Sequence, residues 1–466
     1  MCYLVSVFLF LIPVLSPAQI DRVQTNQSLP SVHDSNGILT RDKEKAIGQA
    51  WLQNMQRQLV LLHDPLLEDY LLNLLYDLSV ATGLSGYDFH LLVVDDKRIN
   101  AFAVPGGIIG INSGLMIYAD TLDQFVSVLA HELGHLKQKH FLRNVEYLQS
   151  TQNQDLTALL LGIGLFITGQ ADIGLATIYG SAAVKQDQVL AYSRDFETEA
   201  DLLALQTMQA KGYNPFAGIE LLDKLQQDAN NSLVLPEFLL THPITSSRVA
   251  LLQERLVHNK QEPGKKDLSY QLLRTRLMVK SAVNQENFVL PEVKSYYQAL
   301  TRADKSKMVT ELQALLAARP DKLIYIISLA EAWIANKQLD QAIGLLSKHQ
   351  SLNPQNYPLN FHLAMAYQQK GRLDLARGLL QALVEARPQS VWLWEKLAEV
   401  SQSPDAAFTF HMARANVFAL KGQVKLAVKQ LDLAKKQAKS MIEKAQVDEA
   451  IRLYQGRGKG GNKKKP

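Results

Sequence analysis

Three prolines, Pro320, Pro354 and Pro388, recur at a spacing of 34 residues, the period of a two-helix repeat unit. Inside that frame Ala330, Trp333, Ala342 and Leu346 are matched by Ala364, Tyr367, Ala376 and Leu380. The same offsets return at Ala415, Phe418, Ala427 and Leu431, with Gly422 answering Gly371 at the turn between helices. Small alanines let paired helices approach closely, and the aromatic and leucine side chains fill the space between them. The last match is displaced by one and a half periods, which predicts an extra helix or degenerate unit over about 391–407. Residues 291–320 read as a weak first repeat at best. The C-terminal part, 291–455, is therefore expected to be an α-solenoid, whose stacked units offer a surface to a peptide or a partner protein.

Upstream the pattern is different. Residues 3–15 are an uncharged apolar run of thirteen followed by Ser16-Pro17-Ala18, too short to span a bilayer but suited to a secretory signal cleaved after Ala18. No Lys or Arg precedes the run. Residues 1–18 are read as a signal peptide and 19–41 as an extended polar leader. Helical periodicity begins with Ile47, Trp51, Met55, Leu59 and Leu62. It changes to a strand-like pattern at 89–94 and again at 101–111, so that one small sheet is expected within a unit spanning 42–259. Two long helices follow, near 121–148 and 190–211. Between them lies an apolar stretch, 157–184, broken at Gly169–Asp172, which reads as a buried or lid-like hairpin. Residues 260–290, opening on the charged, Pro/Gly-marked KQEPGKKDL, are read as a linker and connecting helix.

Composition removes several function classes. Cys2 is the single cysteine, which excludes a disulfide framework, a cysteine-based metal site and a dithiol redox pair. The formal charge of +4 is concentrated in the tail 456–466: without its five basic side chains the remainder carries −1. That gives no electrostatic case for a nucleic-acid partner. The tail itself reads as a disordered basic end, with attraction to anionic lipid as the sharper alternative.

The chemistry lies in His131-Glu132-Leu133-Gly134-His135. Residues i and i+4 share a helix face, and two neutral imidazoles so placed can reach one zinc ion at roughly 2.0–2.1 Å each. Glu132 stands beside them, where a carboxylate can take a proton from water. Asp120 or Thr121 can cap the helix. Hydrolysis needs a third protein ligand and an open position. Glu197, Glu199 and Asp201 open the second helix. Spacing alone lets either glutamate compete for the metal, or lets both be a solvated acidic helix start. A carboxylate one turn on from a ligand could fix the tautomer of a ligating imidazole.

HELGH followed some sixty residues later by ETEAD resembles the gluzincin family that includes the CaaX prenyl proteases and the HtpX-type and Oma-type membrane proteases. The resemblance implies one zinc ion per chain held by His131, His135 and Glu197, with Glu132 as general base and Asp201 supporting a ligand. Asn100–Gly107 resembles the family's strand before the metal helix. Residues 101–111 are then expected to form an edge strand to which an extended substrate could add. Thr241-His242-Pro243 with Arg248 also matches a family pattern. His242 is expected in a loop ahead of a helix beginning at Ser246 or Ser247. It stabilises the oxyanion, occupies the metal's fourth position as a latch, or is a structural loop residue tied by Arg248. His63, His140, His349 and His411 read as packing or surface residues.

The expected fold is mainly α: a gluzincin-type α+β zinc metalloprotease domain with a small sheet, followed by an α-solenoid of tetratricopeptide repeats. With the signal peptide, this combination resembles the periplasmic branch of the family. For that branch the resemblance implies work on outer-membrane β-barrel proteins beside their assembly machinery, in maturation and in degradation of stalled clients. Two other readings stay open. One is a chaperone or scaffold that uses only the repeats, the other a protease of misfolded periplasmic proteins in general. No spanning helix and no nucleic-acid partner are expected, and peripheral contact with a membrane remains open.

Overall fold

The computed structural model describes residues 41–55, 58–143, 186–231, 237–257, 267–284 and 287–459. The signal peptide, the leader up to residue 40, the apolar stretch 157–184, residues 260–266 of the charged boundary and residues 460–466 of the tail lie outside the described residues. The N-terminal unit opens with α1 (Arg41–Met55) and α2 (Pro65–Thr82). Ile47, Trp51 and Met55 are buried along one face of α1. The helical pattern stops there: Leu59 and Leu62 lie beyond the helix, and the Leu62 amide bonds instead to the Val93 carbonyl. Asp64 caps α2 by accepting from the Leu66 and Leu67 amides.

The sheet has three strands, β1 (His90–Val94), β2 (Ala101–Val104) and β3 (Ile108–Asn112), in the order β1-β3-β2. β3 is central, parallel to β1 with His90 opposite Ile108, and antiparallel to β2 with Ala101 opposite Ile111. The expected single strand over 101–111 is thus two. Gly106 and Gly107, both with φ 83°, make the turn between them, a conformation that costs glycine little. Of the two strands, β2 is an edge strand and β3 is central. Phe102 of β2 lies across Gly110, where any Cβ would meet its ring, and packs edge-on against Trp51 at 5.7 Å.

After α3 (Ser113–Tyr118) comes α4 (Leu122–Lys137), buried at every position from Leu122 to Gly134. Thr121 caps it through the Gln124 amide at 3.2 Å, and Gln124 Oε1 reaches back to the Asp120 amide at 2.9 Å. The helix is shorter than its pattern predicts. A turn at Gln138 and Lys139 (φ 55°) interrupts it before helix resumes at residue 140. α5 (Gln186–Ala210) crosses α4, followed by α6 (Phe216–Asn231), α7 (Glu237–Thr241), α8 (Ser246–Leu256) and α9 (Leu268–Lys280). α9 is a buried helix, more than a connector. The Tyr270 hydroxyl donates to the Ala119 carbonyl, Gln271 to that of Asp120 and Arg274 to that of Ile117, satisfying carbonyls left over at the end of α3.

The repeats follow as antiparallel helix pairs. Residues 291–320 form a regular hairpin, α10 (Pro291–Leu300) and α11 (Lys305–Ala318), more complete than the sequence pattern implies. α12 (Leu323–Ala335) with α13 (Leu339–Leu352), and α14 (Tyr357–Gln369) with α15 (Leu373–Ala386), are the two units in period. α16 (Val391–Val400) and a short 3-10 turn fill the extra half-period. α17 (Ala407–Leu420) pairs with α18 (Val424–Gln437), and α19 (Met441–Lys459) runs past the point where the tail was expected to begin. Ala330, Ala342, Leu346, Ala364, Ala376, Leu380, Ala415, Ala427 and Leu431 are all fully buried, as the matched offsets require.

One hydrophobic core crosses from the N-terminal unit into the repeats, from Leu66 through Leu129 and Tyr270 to Tyr325 and Ala366. A polar hub reinforces it. Arg276, 3% exposed, donates to Asp64 at 2.9 Å and through both terminal nitrogens to Glu331 at 2.7 Å. Nearby, Trp392 stacks on His63 at 4.6 Å, and Tyr357 and Arg387 bond to Glu68 and Asp69 of α2. Part of the repeat surface is therefore engaged by the chain's own N-terminal unit.

Candidate metal centre

α4 presents His131, Glu132 and His135, α5 presents Glu197 and Asp201, and His242 follows directly on α7. Gly134 lets the two long helices close on each other. A Cβ there would stand 3.0 Å from the backbone of Ala200 on α5. Burying this many polar groups is costly unless each has a partner, so their geometry is informative.

His131 Nε2 lies 2.9 Å from His135 Nε2 and 3.3 Å from His242 Nδ1. Glu197 Oε1 is 3.1 Å from His242 Nδ1 and 3.3 Å from His135 Nε2, and its Oε2 is 3.4 Å from His131 Nε2. All four ligand atoms fall within 4.8 Å of one another. A tetrahedral ion with ligands at roughly 2.0–2.1 Å has ligand–ligand edges of about 3.3–3.4 Å, close to the separations observed. Ring nitrogens converging this tightly repel through their lone pairs unless a proton or a metal cation sits between them. The donor set, three imidazoles and one carboxylate, fits a borderline-soft divalent ion.

The residues around the cluster orient it. His131 Nδ1 faces Asp201 Oδ1 at 3.0 Å. Arg248 clamps Asp201 through Nε and Nη2 at 2.8 and 2.9 Å, approaches Glu197 at 2.9 Å and donates to the Pro243 carbonyl at 2.7 Å. It thus ties the His242 loop to α5. α8 starts at Ser246, capped by Thr245. Glu132 is buried, receives a hydrogen bond from the Ala103 amide of β2, and has Oε1 3.4 Å from His242 Nε2 with no hydrogen bond to it among the described residues. Burial pushes its carboxyl up, the direction a proton acceptor needs to work near neutrality. Burial would raise Glu197 too, but His242, His131 and His135 outweigh it and hold that carboxyl well below the usual range. Burial lowers His135 to about 3, keeping the ring neutral.

The structure brings together all six residues singled out from the sequence: His131, Glu132, His135, Glu197, Asp201 and His242. It separates Glu199 from them. That carboxylate turns away to His140 Nε2 at 3.1 Å and Arg143 at 2.8 Å. His140, read from the sequence as a packing or surface residue, is buried with Nδ1 2.8 Å from His135 Nδ1. The left-handed turn at Lys139 brings it under the metal helix, and no helical spacing announces such a turn. His63, His349 and His411 lie elsewhere.

Residues 65–256 match the family model described as peptidase family M48. The chain carries a family M48 peptidase domain. Residues 334–398 match a tetratricopeptide repeat model. The beta-barrel assembly-enhancing protease of Escherichia coli O157:H7 is 29% identical over 458 residues, covering 94% of this chain and 92% of the relative. A putative beta-barrel assembly-enhancing protease of Vibrio cholerae is 30% identical over 258 residues, 54% of this chain and 52% of that protein. The mitochondrial metalloendopeptidase OMA1 of Schizosaccharomyces pombe is 26% identical over 187 residues, 40% of this chain and 52% of that one. The M48 match begins at the N-terminus of α2 and ends with α8, enclosing every residue of the cluster. The architecture is thus a metalloendopeptidase domain followed by helical repeats. No described helix is long and apolar enough to cross a membrane.

Proposed function

We propose that the chain is a zinc-dependent metalloendopeptidase of the periplasm that acts on β-barrel proteins during outer-membrane assembly. His131, His135 and Glu197 would hold the zinc, and His242 would take the fourth position in a latent state. The observation that carries the reading is the convergence of four ligand atoms within 4.8 Å of one another, with a Glu132 oxygen that has no hydrogen bond among the described residues beside it. The names of the similar proteases support the substrate class, and the apolar N-terminal run supports export.

Bound there, zinc would polarise the scissile carbonyl and acidify the attacking water. Glu132 accepts the proton from that water and passes it to the leaving amine. Asp201 keeps the proton of His131 on Nδ1, so that Nε2 faces the ion. Arg248 holds both carboxylates of α5 in place. The edge of β2, which pairs with no second strand among the described residues, adjoins Glu132 through Ala103 and offers its remaining backbone groups to an extended substrate. His242 must swing away for water and substrate to enter. The clamp from Arg248 to the Pro243 carbonyl sets how readily the loop moves.

Glu132→Gln tests the assignment. Turnover of an unfolded β-barrel client should fall by about 10²- to 10⁴-fold, the range for loss of a proton-transfer group, with one zinc per chain retained. Unchanged turnover would remove Glu132 from the chemistry and reject the assignment.

A further inference from the structure

His135 and His131 are supported differently. Asp201 meets His131 directly, whereas the partner of His135 is another imidazole. His140 lies 3% exposed, stacked on Phe196 at 4.2 Å and 11°, and the Arg143 guanidinium covers Phe196 at 4.4 Å. The ring is thereby fixed in plane and depth. Its Nδ1 stands 2.8 Å from His135 Nδ1, and its Nε2 stands 3.1 Å from Glu199 Oε2. Arg143 donates to the same carboxylate oxygen at 2.8 Å.

Proton positions follow from this arrangement. A neutral imidazole that offers its Nε2 lone pair to the cluster carries its proton on Nδ1. The His135 Nδ1–H therefore points at His140 Nδ1, which must be bare to accept it. A neutral His140 then carries its proton on Nε2, facing the Glu199 carboxylate. Each tautomer fixes the next, and Glu199, anchored by Arg143, fixes the first.

We infer that His140 is a positioning residue for the metal ligand His135, within a relay running from Arg143 and Glu199 through His140 to His135. A carboxylate thus supports His135 at one remove. The relay sets the orientation of the His135 ring, keeps its Nε2 lone pair directed into the cluster, and raises its basicity through the polarised acceptor. This inference rests on the zinc reading above. It assigns His140 and Glu199 a role that spacing alone gave to neither.

The test measures zinc affinity of the full chain by competition with a chromophoric chelator, beside long-range ¹H–¹⁵N spectra of the histidine rings. His140→Phe keeps the stack on Phe196 and removes the acceptor. Affinity should fall by about 10- to 100-fold, the usual cost of losing the partner of a ligating histidine. His140→Asn returns an acceptor oxygen near the Nδ1 position and should recover most of that loss. In the wild type His140 should appear as the Nε2–H tautomer, and Glu199→Ala should mix its tautomers and weaken zinc less than His140→Phe. Equal affinity in wild type and His140→Phe, no rescue by Asn, or an Nδ1–H tautomer at His140 would each overturn the relay. A wild type that binds no zinc would instead overturn the metal site itself. If His140→Phe does not fold, Glu199→Ala decides: unchanged affinity with an unchanged tautomer rejects the relay.

Discussion

Arg276 carries a prediction that can be worked from the structure. It is buried between the Asp64 carboxylate, which caps α2, and Glu331 of α12, with three nitrogen–oxygen contacts of 2.7–2.9 Å. Arg276→Met keeps the length of the side chain and removes the charge, leaving the buried Asp64 carboxylate and the partly exposed Glu331 carboxylate facing an apolar group. Breaking a buried pair in this way costs about 3–5 kcal/mol. Lys435→Met, which breaks the half-exposed pair with Asp448, should cost about 0–1 kcal/mol. pH adds a second signature. Burial would raise Asp64, but the Arg276 and Lys280 cations outweigh it and lower its carboxyl from 3.8 to about 2. A carboxyl depressed by that amount contributes about 2.5 kcal/mol. The contribution is fully present above pH 3.8 and is lost as pH falls through 2. The assay is urea unfolding of the full chain, followed by circular dichroism at neutral pH and at steps between pH 5 and 2, with wild type and variant compared without added metal. The wild type should lose stability over that acid range, and Arg276→Met, already weakened, should lose less. A cost below about 1 kcal/mol at neutral pH, no larger than the surface control, would refute the hub as a structural tie.

Further predictions concern the metal centre. His242→Ala should raise hydrolysis of a short unstructured peptide while zinc stays bound, and a fall in activity would assign His242 to the oxyanion instead. Gly134→Ala should push α5 away from α4, costing about 1–3 kcal/mol and weakening zinc binding, as read by melting temperature and chelator competition. Unchanged values would mean that the helices repack without moving Glu197. Removal of zinc by a chelator should lower the melting temperature, because an ion bound at a thousand times its dissociation constant contributes about 4 kcal/mol. A melting temperature indifferent to chelation would argue against a resident ion.

The i, i+4 geometry of a helix made His131, Glu132 and His135 legible from spacing alone, and the offsets of the repeat alanines likewise marked their burial. Glu197 and Glu199 were not separable by spacing, because the rotational phase of α5 against α4 is set by the contact between Gly134 and Ala200. Resemblance selected Glu197, and the packing sets that carboxylate beside the imidazoles while Glu199 turns to His140 and Arg143. The 101–111 segment read as one strand because both halves are apolar, although Gly106-Gly107 already marked the turn. His140 stayed hidden behind a left-handed residue, Lys139, that no periodicity reveals. Arg276 stayed hidden for another reason: a charged side chain in a helical pattern reads as solvent-facing, and only the fold supplies Asp64 and Glu331 to bury it against.

The apolar core shared by the two halves has a consequence for biogenesis. A chain that emerges amino-terminus first has its last metal-facing side chain at residue 242, yet the surface of α2 is not covered until residues around 366 have followed. Burial of that surface therefore lags the clustered side chains by more than a hundred residues of synthesis, and a product truncated before residue 366 would carry the cluster without part of the packing beneath it. The first helical repeats serve in this sense as the cover of the N-terminal unit, which gains its full apolar packing only once the chain to about residue 366 is in place.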